Sequence, residues 1–412
     1  MLQLVNTGRQ SIHSYSEIVG KEAINDLKRL AKPLHNLRVL NINATPYGGG
    51  VSELLRSVVP LENDLGLKVE WRIIAGDEQF FKVTKEIHDA LQGGHNYLNR
   101  QHDRETYLNY NFINSHEIDP DNYDIIIVHD PQPAALLDCC RSRGKAKWIW
   151  RCHIDTSQPN MEVWEYIRNF VAIYDKAIFT MAKFVPPDFS QPEVAIIPPA
   201  IDPLSPKNMA LSHKMARNLL SWLGIFPHEI FITQVSRFDK WKDPMGVIKA
   251  YRLVKKEMPD IHLALVGSMA LDDPSSWATY SKLTVEDRVD PNFHLFTNLT
   301  GVSNVEVNAF QRLSKIIVQK SIREGFGLVV SEALWKETPV VAGNAGGIPM
   351  QLKGGGGFLI DTIEECADKI LRLMKNEDEA HALGVAGKKY IRENFLITRL
   401  IKDELELFKS LL

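Results

Sequence analysis

Two glutamates, Glu324 and Glu332, stand eight residues apart in REGFGLVVSEAL (323–334), with Gly325, Phe326 and Gly327 between them. In one continuous helix their carboxylates would lie about 80° apart around the axis. Each glycine, however, costs a helix about 1 kcal/mol relative to alanine. The stretch therefore reads as a loop that leaves an apolar strand, SKIIVQK (314–320), and opens a helix, LVVSEALWKE, ending before Pro339. Glu324 then sits in the loop and Glu332 just over one turn into the helix, roughly 10 Å away. Groups so separated cannot share a proton, but they suit the two ends of one extended ligand. The glycines would bring helix-start N–H groups up to an anion, with Glu332 accepting from ribose hydroxyls and Glu324 from a sugar. The plainer alternative is an ion pair and a helix cap.

Three other loops carry candidate chemistry. In VSRFDKWKDP (235–244), Arg237 leaves a strand end and Lys242 precedes Asp243-Pro244, a helix start with aspartate as cap and proline at the first helical position. Two cations held above a sheet would neutralise a diphosphate, whereas Lys240 reads as a solvated charge. In ATPYGGGVSELL (44–55), Gly48, Gly49 and Gly50 open a helix after a strand and allow close backbone approach to an anion. They do not form GxGxxG, so the dinucleotide fingerprint fails, although Asp77 follows the next strand. In KWIWRCHIDTSQP (147–159), Arg151 and His153 share one face of a strand near its carboxyl end, with Asp155 following. Arg72, a charge inside the strand KVEWRIIA, needs a partner, either structural or a substrate hydroxyl.

These loops need rigid elements beneath them. Short apolar runs alternate with longer amphipathic stretches, six in each half: 37–44, 68–75, 124–130, 147–153, 176–180 and 193–199, then 229–236, 261–268, 292–298, 314–320, 338–343 and 356–361. This pattern predicts two doubly wound α/β domains with parallel sheets. The proline-rich PPAIDPLSPKN (198–208) is the linker candidate. The expected division is 1–205, completed by a closing helix at 396–412, and 206–395. Residues 11–32 read as an extra helix, and 76–123 as a long polar insert. Ligands in such folds bind beyond the carboxyl ends of the strands, so the two domains are expected to face a deep cleft.

Composition excludes several classes. The 412 residues exceed one core, and a net charge of −3 gives no general attraction to nucleic acid or anionic membrane. No run reaches transmembrane length and the first residues lack a signal-peptide core. The four cysteines show neither metal-site nor disulfide spacing, so a cytoplasmic location is expected.

At the paired glutamates the sequence resembles the retaining glycosyltransferases of the GT-B fold, in the glycogen-synthase-like family 4. Their mark is a glutamate, seven residues and a second glutamate, here Glu324 and Glu332, with an arginine and a lysine matching Arg237 and Lys242. WRCHID, SRFDKWKDP and SIREGFGLVVSEALWK look like a narrower branch, the trehalose synthases and trehalose phosphorylases. The resemblance implies glucose transfer from UDP- or ADP-glucose to free glucose, forming α,α-trehalose, with a phosphorylase acting on phosphate or glucose 1-phosphate as the alternative. A nicotinamide-dependent oxidoreductase is the distant alternative. By resemblance, Arg237 and Lys242 stabilise the leaving diphosphate and Gly325, Phe326, Gly327, Leu328 and Val329 cradle it. Glu332 holds the ribose, Glu324 positions the sugar, and Asn298 and Leu299 contact the base. Tyr47, Arg72, His153 and Asp155 line the acceptor side, His153 also acting in catalysis, while Gly48, Gly49 and Gly50 face the donor. No resident cofactor or metal ligand set is implied, though a divalent metal could stimulate. Partners are the small-molecule substrates, nucleotide-glucose, glucose and trehalose, with a homodimer allowed and neither nucleic acid nor membrane expected. The insert at 76–123 has no general family counterpart and would shape the acceptor side.

Overall fold

The structure, a computed structural model, describes residues 2–95, 101–226, 228–269 and 274–412. They form two compact units, Met1–Ala200 with Ile397–Leu412, and Ile201–Leu396. The proline-rich stretch 198–208 contains the first boundary.

The first unit carries strands Gln3–Leu4 (β1), Arg38–Asn43 (β2), Lys68–Ile73 (β3), Ile125–His129 (β4), Lys147–Cys152 (β5), Lys176–Phe179 (β6) and Glu193–Ile196 (β7). Their order is β1-β3-β2-β4-β5-β6-β7, parallel throughout except for β1 against β3. β1 was not foreseen, because two residues cannot display a hydrophobic period. Side chains alternate between two apolar layers, as the period of two requires. Ile126 and Val128 join Trp148 and Trp150 on one face. Ile125, Ile127 and Ile149 join the closing helix Ile397–Leu411 on the other.

The expected helix over 11–32 is broken into Ile12–Tyr15, Ser16–Val19 and Lys21–Ala31. The insert read as polar holds helices Glu78–Leu91 and Gln101–Ser115, with residues 96–100 outside the described set. Asp77 caps the first by accepting from the Phe80 amide at 2.8 Å. The second is tied to strand-end loops. Tyr107 donates to the Pro131 carbonyl at 2.8 Å and Asn111 to that of Gln132 at 3.1 Å, while Asn114 bridges both backbone groups of Ala75. The insert therefore positions the loops after β3 and β4.

The second unit carries Ile230–Val235 (β8), Ile261–Gly267 (β9), Phe293–Thr297 (β10), Ile316–Gln319 (β11), Val340–Gly343 (β12) and Gly357–Ile360 (β13). All are parallel, in the order β10-β9-β8-β11-β12-β13. The chain runs outward from β8 to β10, then returns to place β11 on the other side of β8. Such a reversal opens a crevice at the carboxyl ends of the two central strands. In the first unit the reversal falls between β2 and β4.

Arg151, expected at the ligand-facing end of β5, is instead buried and ion-paired with Glu404 of the closing helix. Glu62 lies beside Glu404, and burial, with that neighbour's charge, raises its pKa well above the ordinary range. Arg151 pairs with Glu404, and Glu62, with its pKa so raised by burial, keeps its proton. Its folded pKa exceeds the unfolded value of about 4.3, so its contribution is favourable at low pH and lost as pH rises. Glu62→Gln should therefore raise Tm at pH 7–8, with the gain shrinking toward pH 4.5. Arg151→Met, which leaves Glu404 unpaired, should cost about 3–5 kcal/mol. A Glu62→Gln Tm below wild type at every pH would contradict the protonated assignment.

Candidate active site

The second unit's crevice is built from the loops after β8 and β11. Asp239 organises the first, accepting from the amides of Trp241 (2.9 Å) and Lys242 (3.2 Å). Gln234, near the end of β8, donates to the Lys242 carbonyl at 2.7 Å. The helix Pro244–Glu257 then starts as expected, with Asp243 accepting from the Gly246 amide. This loop docks on the second through the Ile322 amide, which donates to the Trp241 carbonyl at 2.7 Å.

Docking brings the predicted cation and carboxylate into direct contact. Lys242 Nζ lies 2.6 Å from Glu324 Oε2, which also accepts from Ser321 at 3.1 Å. Glu324 is only 8% exposed. Arg237 is looser, at 3.5 Å from Asp239 with 42% of its side chain exposed. The ion pair anticipated as the plain alternative is therefore present, and its partner is the predicted catalytic lysine.

The glycine loop is held from behind by residues 343–347, after β12. A Cβ on Gly346, which has φ +52°, would stand 1.6 Å from the Glu324 carbonyl oxygen, so no side chain fits there. Gly327 caps the helix Leu328–Trp335 in the left-handed region, φ 83°. Buried Gln351 accepts from the Ser331 amide at 2.9 Å and donates to the Phe326 carbonyl at 2.5 Å. Among the described residues, the amides of Leu328 and Val329 have no acceptor. Phe326 is itself buried, so its contribution is backbone, not ring.

Glu332 is 2% exposed and sits in a buried polar network. Gln311 donates to its Oε2 at 2.9 Å, and Lys207 lies 3.6 Å from its Oε1. Lys336 donates to the Glu332 carbonyl and to Asn208, and burial lowers its pKa to about 7 against the opposing pull of Glu332. Asn298 holds both backbone groups of Met269, and the Leu299 amide donates to Thr297 Oγ1 at 3.1 Å. The Leu299 side chain is exposed.

In the first unit the β2 loop places Tyr47 72% exposed, with Arg56 over its ring. Gly48 and Gly49 have open space where a Cβ would stand, and the helix Gly50–Asp64 follows. His153 approaches from the end of β5. Its Nε2 is 2.9 Å from His129 Nδ1, and His129 Nε2 is 3.0 Å from Asn41 Oδ1. His129 thus bridges Asn41 and His153 through its two ring nitrogens. Burial, then the charge of Arg151, holds both imidazoles well below their ordinary pKa, so both are neutral. The His153 amide donates to Asp130 at 2.8 Å, and burial raises the Asp130 pKa to about 7.

His129 and Asp130 escaped the sequence reading, although they stand together at the end of IIIVHD. Asp155 is buried and accepts from the Ser157 amide at 3.0 Å. Arg72 has its partner within the strand, Glu70 at 2.9 Å, which Tyr123 also reaches. The lone charge thus has a partner of its own, with 28% of its side chain still exposed.

Comparison with known proteins agrees along most of the chain. Residues 41–186 match the family described as trehalose synthase, N-terminal domain, and residues 221–390 match glycosyl transferases group 1. A trehalose synthase of Rubrobacter xylanophilus is 50% identical across 100% of both chains, and one of Thermococcus litoralis is 44% identical across 97% of each. A trehalose phosphorylase of Pleurotus pulmonarius is 27% identical over 84% of this chain and 54% of its own. Among solved structures, an α,α-trehalose-phosphate synthase (UDP-forming) from Burkholderia xenovorans, in complex with glucose-6-phosphate, shares the fold. Its TM-score is 0.73 at 14% identity, covering 90% of this chain and 100% of that one. The fold is accordingly GT-B, and the chain belongs to the trehalose synthase family of group 1 glycosyl transferases, as a trehalose-related glycosyltransferase.

Proposed function

We propose that the protein transfers glucose from a nucleotide sugar to free glucose, forming α,α-trehalose with retention at the donor carbon. The observation that carries this reading is the convergence at the β8–β11 crevice of Lys242, Glu324, Arg237 and the amides of Leu328 and Val329, which have no acceptor among the described residues. A diphosphate needs cations and N–H donors, and a sugar needs a fixed hydroxyl acceptor. Arg237, Lys242 and the amides take the leaving diphosphate, preorganised charge being the largest contribution such a reaction can use.

Glu324 positions the donor sugar and Glu332 the ribose, while Asn298 and Leu299 lie toward the base. Tyr47, Arg72, His153 and Asp155 serve the acceptor, and Gly48 to Gly50 leave room for phosphate. In the step itself, the bond from the anomeric carbon to the phosphate oxygen breaks. The acceptor's anomeric hydroxyl bonds to that carbon on the same face, and its proton passes to the leaving phosphate oxygen. The products are trehalose and a nucleoside diphosphate. The same groups serve the reverse reaction, by microscopic reversibility. Same-face attack, rather than a covalent intermediate, is the route proposed. A helix long and apolar enough to cross a membrane is absent among the described residues.

Incubation with glucose and, separately, UDP-glucose, ADP-glucose, GDP-glucose and glucose 1-phosphate tests the donor class. Disaccharide from at least one nucleotide sugar, with release of its diphosphate, is expected. Product from glucose 1-phosphate alone would establish the phosphorylase reading instead.

The two ends of the donor should separate kinetically. Lys242→Ala should lower kcat by about 10² or more, the usual cost of one preorganised contact to developing charge. Glu332→Gln should chiefly raise donor KM, by roughly tenfold or more, since a charged hydrogen-bond partner contributes about 1.5–3 kcal/mol. A Lys242→Ala enzyme within threefold of wild type, or a Glu332→Gln enzyme with unchanged donor KM and collapsed kcat, would show the roles to be misassigned.

A further inference from the structure

Three strands of the second unit each deliver one metal-binding side chain to a single point far from the loops described above. Glu229 directly precedes β8, His262 is the second residue of β9 and His294 the second residue of β10. The strands are parallel, so this cluster lies at their amino-terminal ends. The Lys242 loop leaves the opposite end of β8, roughly 20 Å away at about 3.3 Å per residue.

The period of two explains why the three side chains meet. Glu229 lies two residues before Phe231, His262 two before Ala264 and His294 two before Phe296, and Phe231, Ala264 and Phe296 share one apolar face. Register sets the three on a diagonal across the sheet, with Phe231 opposite His262 and His294 opposite Ala264. His262 Nδ1 and His294 Nε2 share a hydrogen bond at 2.9 Å, with the rings nearly parallel, at 3°. One ligand atom from each of the three residues falls within 4.8 Å of the others. All three are partly buried; the two histidines stand on sheet backbone and Glu229 directly before it.

We propose that Glu229, His262 and His294 form a binding site for a borderline transition-metal dication such as Zn²⁺ or Co²⁺. Imidazole nitrogens about 2.0–2.1 Å from a tetrahedral ion stand roughly 3.3 Å apart, so the ion takes the place of the proton the two nitrogens now share and parts them slightly. Glu229 Oε2 accepts from the Phe226 amide at 3.0 Å, so its second oxygen is the one offered to the ion. Two nitrogens and one carboxylate oxygen select transition metals over Mg²⁺ or Ca²⁺, which favour all-oxygen sets. Three protein ligands leave at least one position to water. The bound ion joins β8, β9 and β10 across their hydrogen-bonded edges, so its effect is on the second unit's sheet and not on the transfer step.

The test uses the chelator-treated full-length protein, titrated with CoCl₂ and followed by visible absorption, then with ZnCl₂ and MgCl₂ by calorimetry. Expected are saturable binding of one Co²⁺ with d–d bands, displacement by Zn²⁺, a Zn²⁺-dependent rise in Tm, and no response to Mg²⁺. His262→Asn and His294→Asn should each weaken Zn²⁺ binding more than about 100-fold, beyond the ~10–100-fold that outer-shell changes cost. His228→Ala, beside the cluster, should retain it, and metal-free circular dichroism checks that the variants are folded. Absence of saturable Zn²⁺ binding, or binding undiminished in both folded histidine variants, would overturn the proposal.

Discussion

The parallel pairing of β11 with β8, after the chain has travelled out through β9 and β10 and back, is the constraint on which the donor-side site depends. Only that crossover sets the loops 236–243 and 320–327 side by side. Once adjacent, they are joined by the Ile322 amide on the Trp241 carbonyl, by the Lys320–Asp243 pair and by the Lys242–Glu324 pair. The loop after β12 closes in behind, where Gly346 leaves no room for a side chain against Glu324. A lysine, a carboxylate and a helix start separated by some eighty residues thereby become one rigid surface.

The electrostatics of that surface follow from its burial. Lys242 and Glu324 satisfy one another, so neither is an isolated charge in a half-dry crevice, a state that would be costly. On the proposed reading, an arriving diphosphate adds negative charge, answered by Lys242, the more exposed Arg237 and the amides of Leu328 and Val329, which have no acceptor among the described residues. Beneath them, Ser321 and Gln351 fix the carboxylate and the loop backbone by hydrogen bonds. In the first unit a different device serves a similar end. The chain Asn41–His129–His153 holds two imidazoles in place, and burial with the charge of Arg151 keeps both neutral.

Much of this was legible in the sequence, for identifiable reasons. Twelve apolar runs marked the longer strands, because parallel strands covered on both faces must be nearly continuous in hydrophobic residues. The helix start at Asp243-Pro244 and the loop at Gly325–Gly327 followed from local backbone chemistry. Pairings across long separations were not legible. Lys242 and Glu324 are 82 positions apart, and Arg151 and Glu404 are 253 apart. Spacing alone could not distinguish a substrate-facing Arg151 from one buried against the closing helix. Glu332 showed its place in the helix but not its contacts with Gln311 and Lys207. His129 was passed over because a last strand residue is ordinarily core, and only the sheet register sets it against His153. The Glu229–His262–His294 cluster was hidden for the same reason, being assembled from three strands.

The central claim is transfer of glucose with retention to the anomeric hydroxyl of glucose, and proton NMR of the product made from a nucleotide α-glucose and free glucose tests it most directly. The account predicts a non-reducing disaccharide whose two anomeric positions are equivalent and both α. A β-anomeric signal would contradict retention from the α-linked donor, and a reducing disaccharide would contradict trehalose as the product.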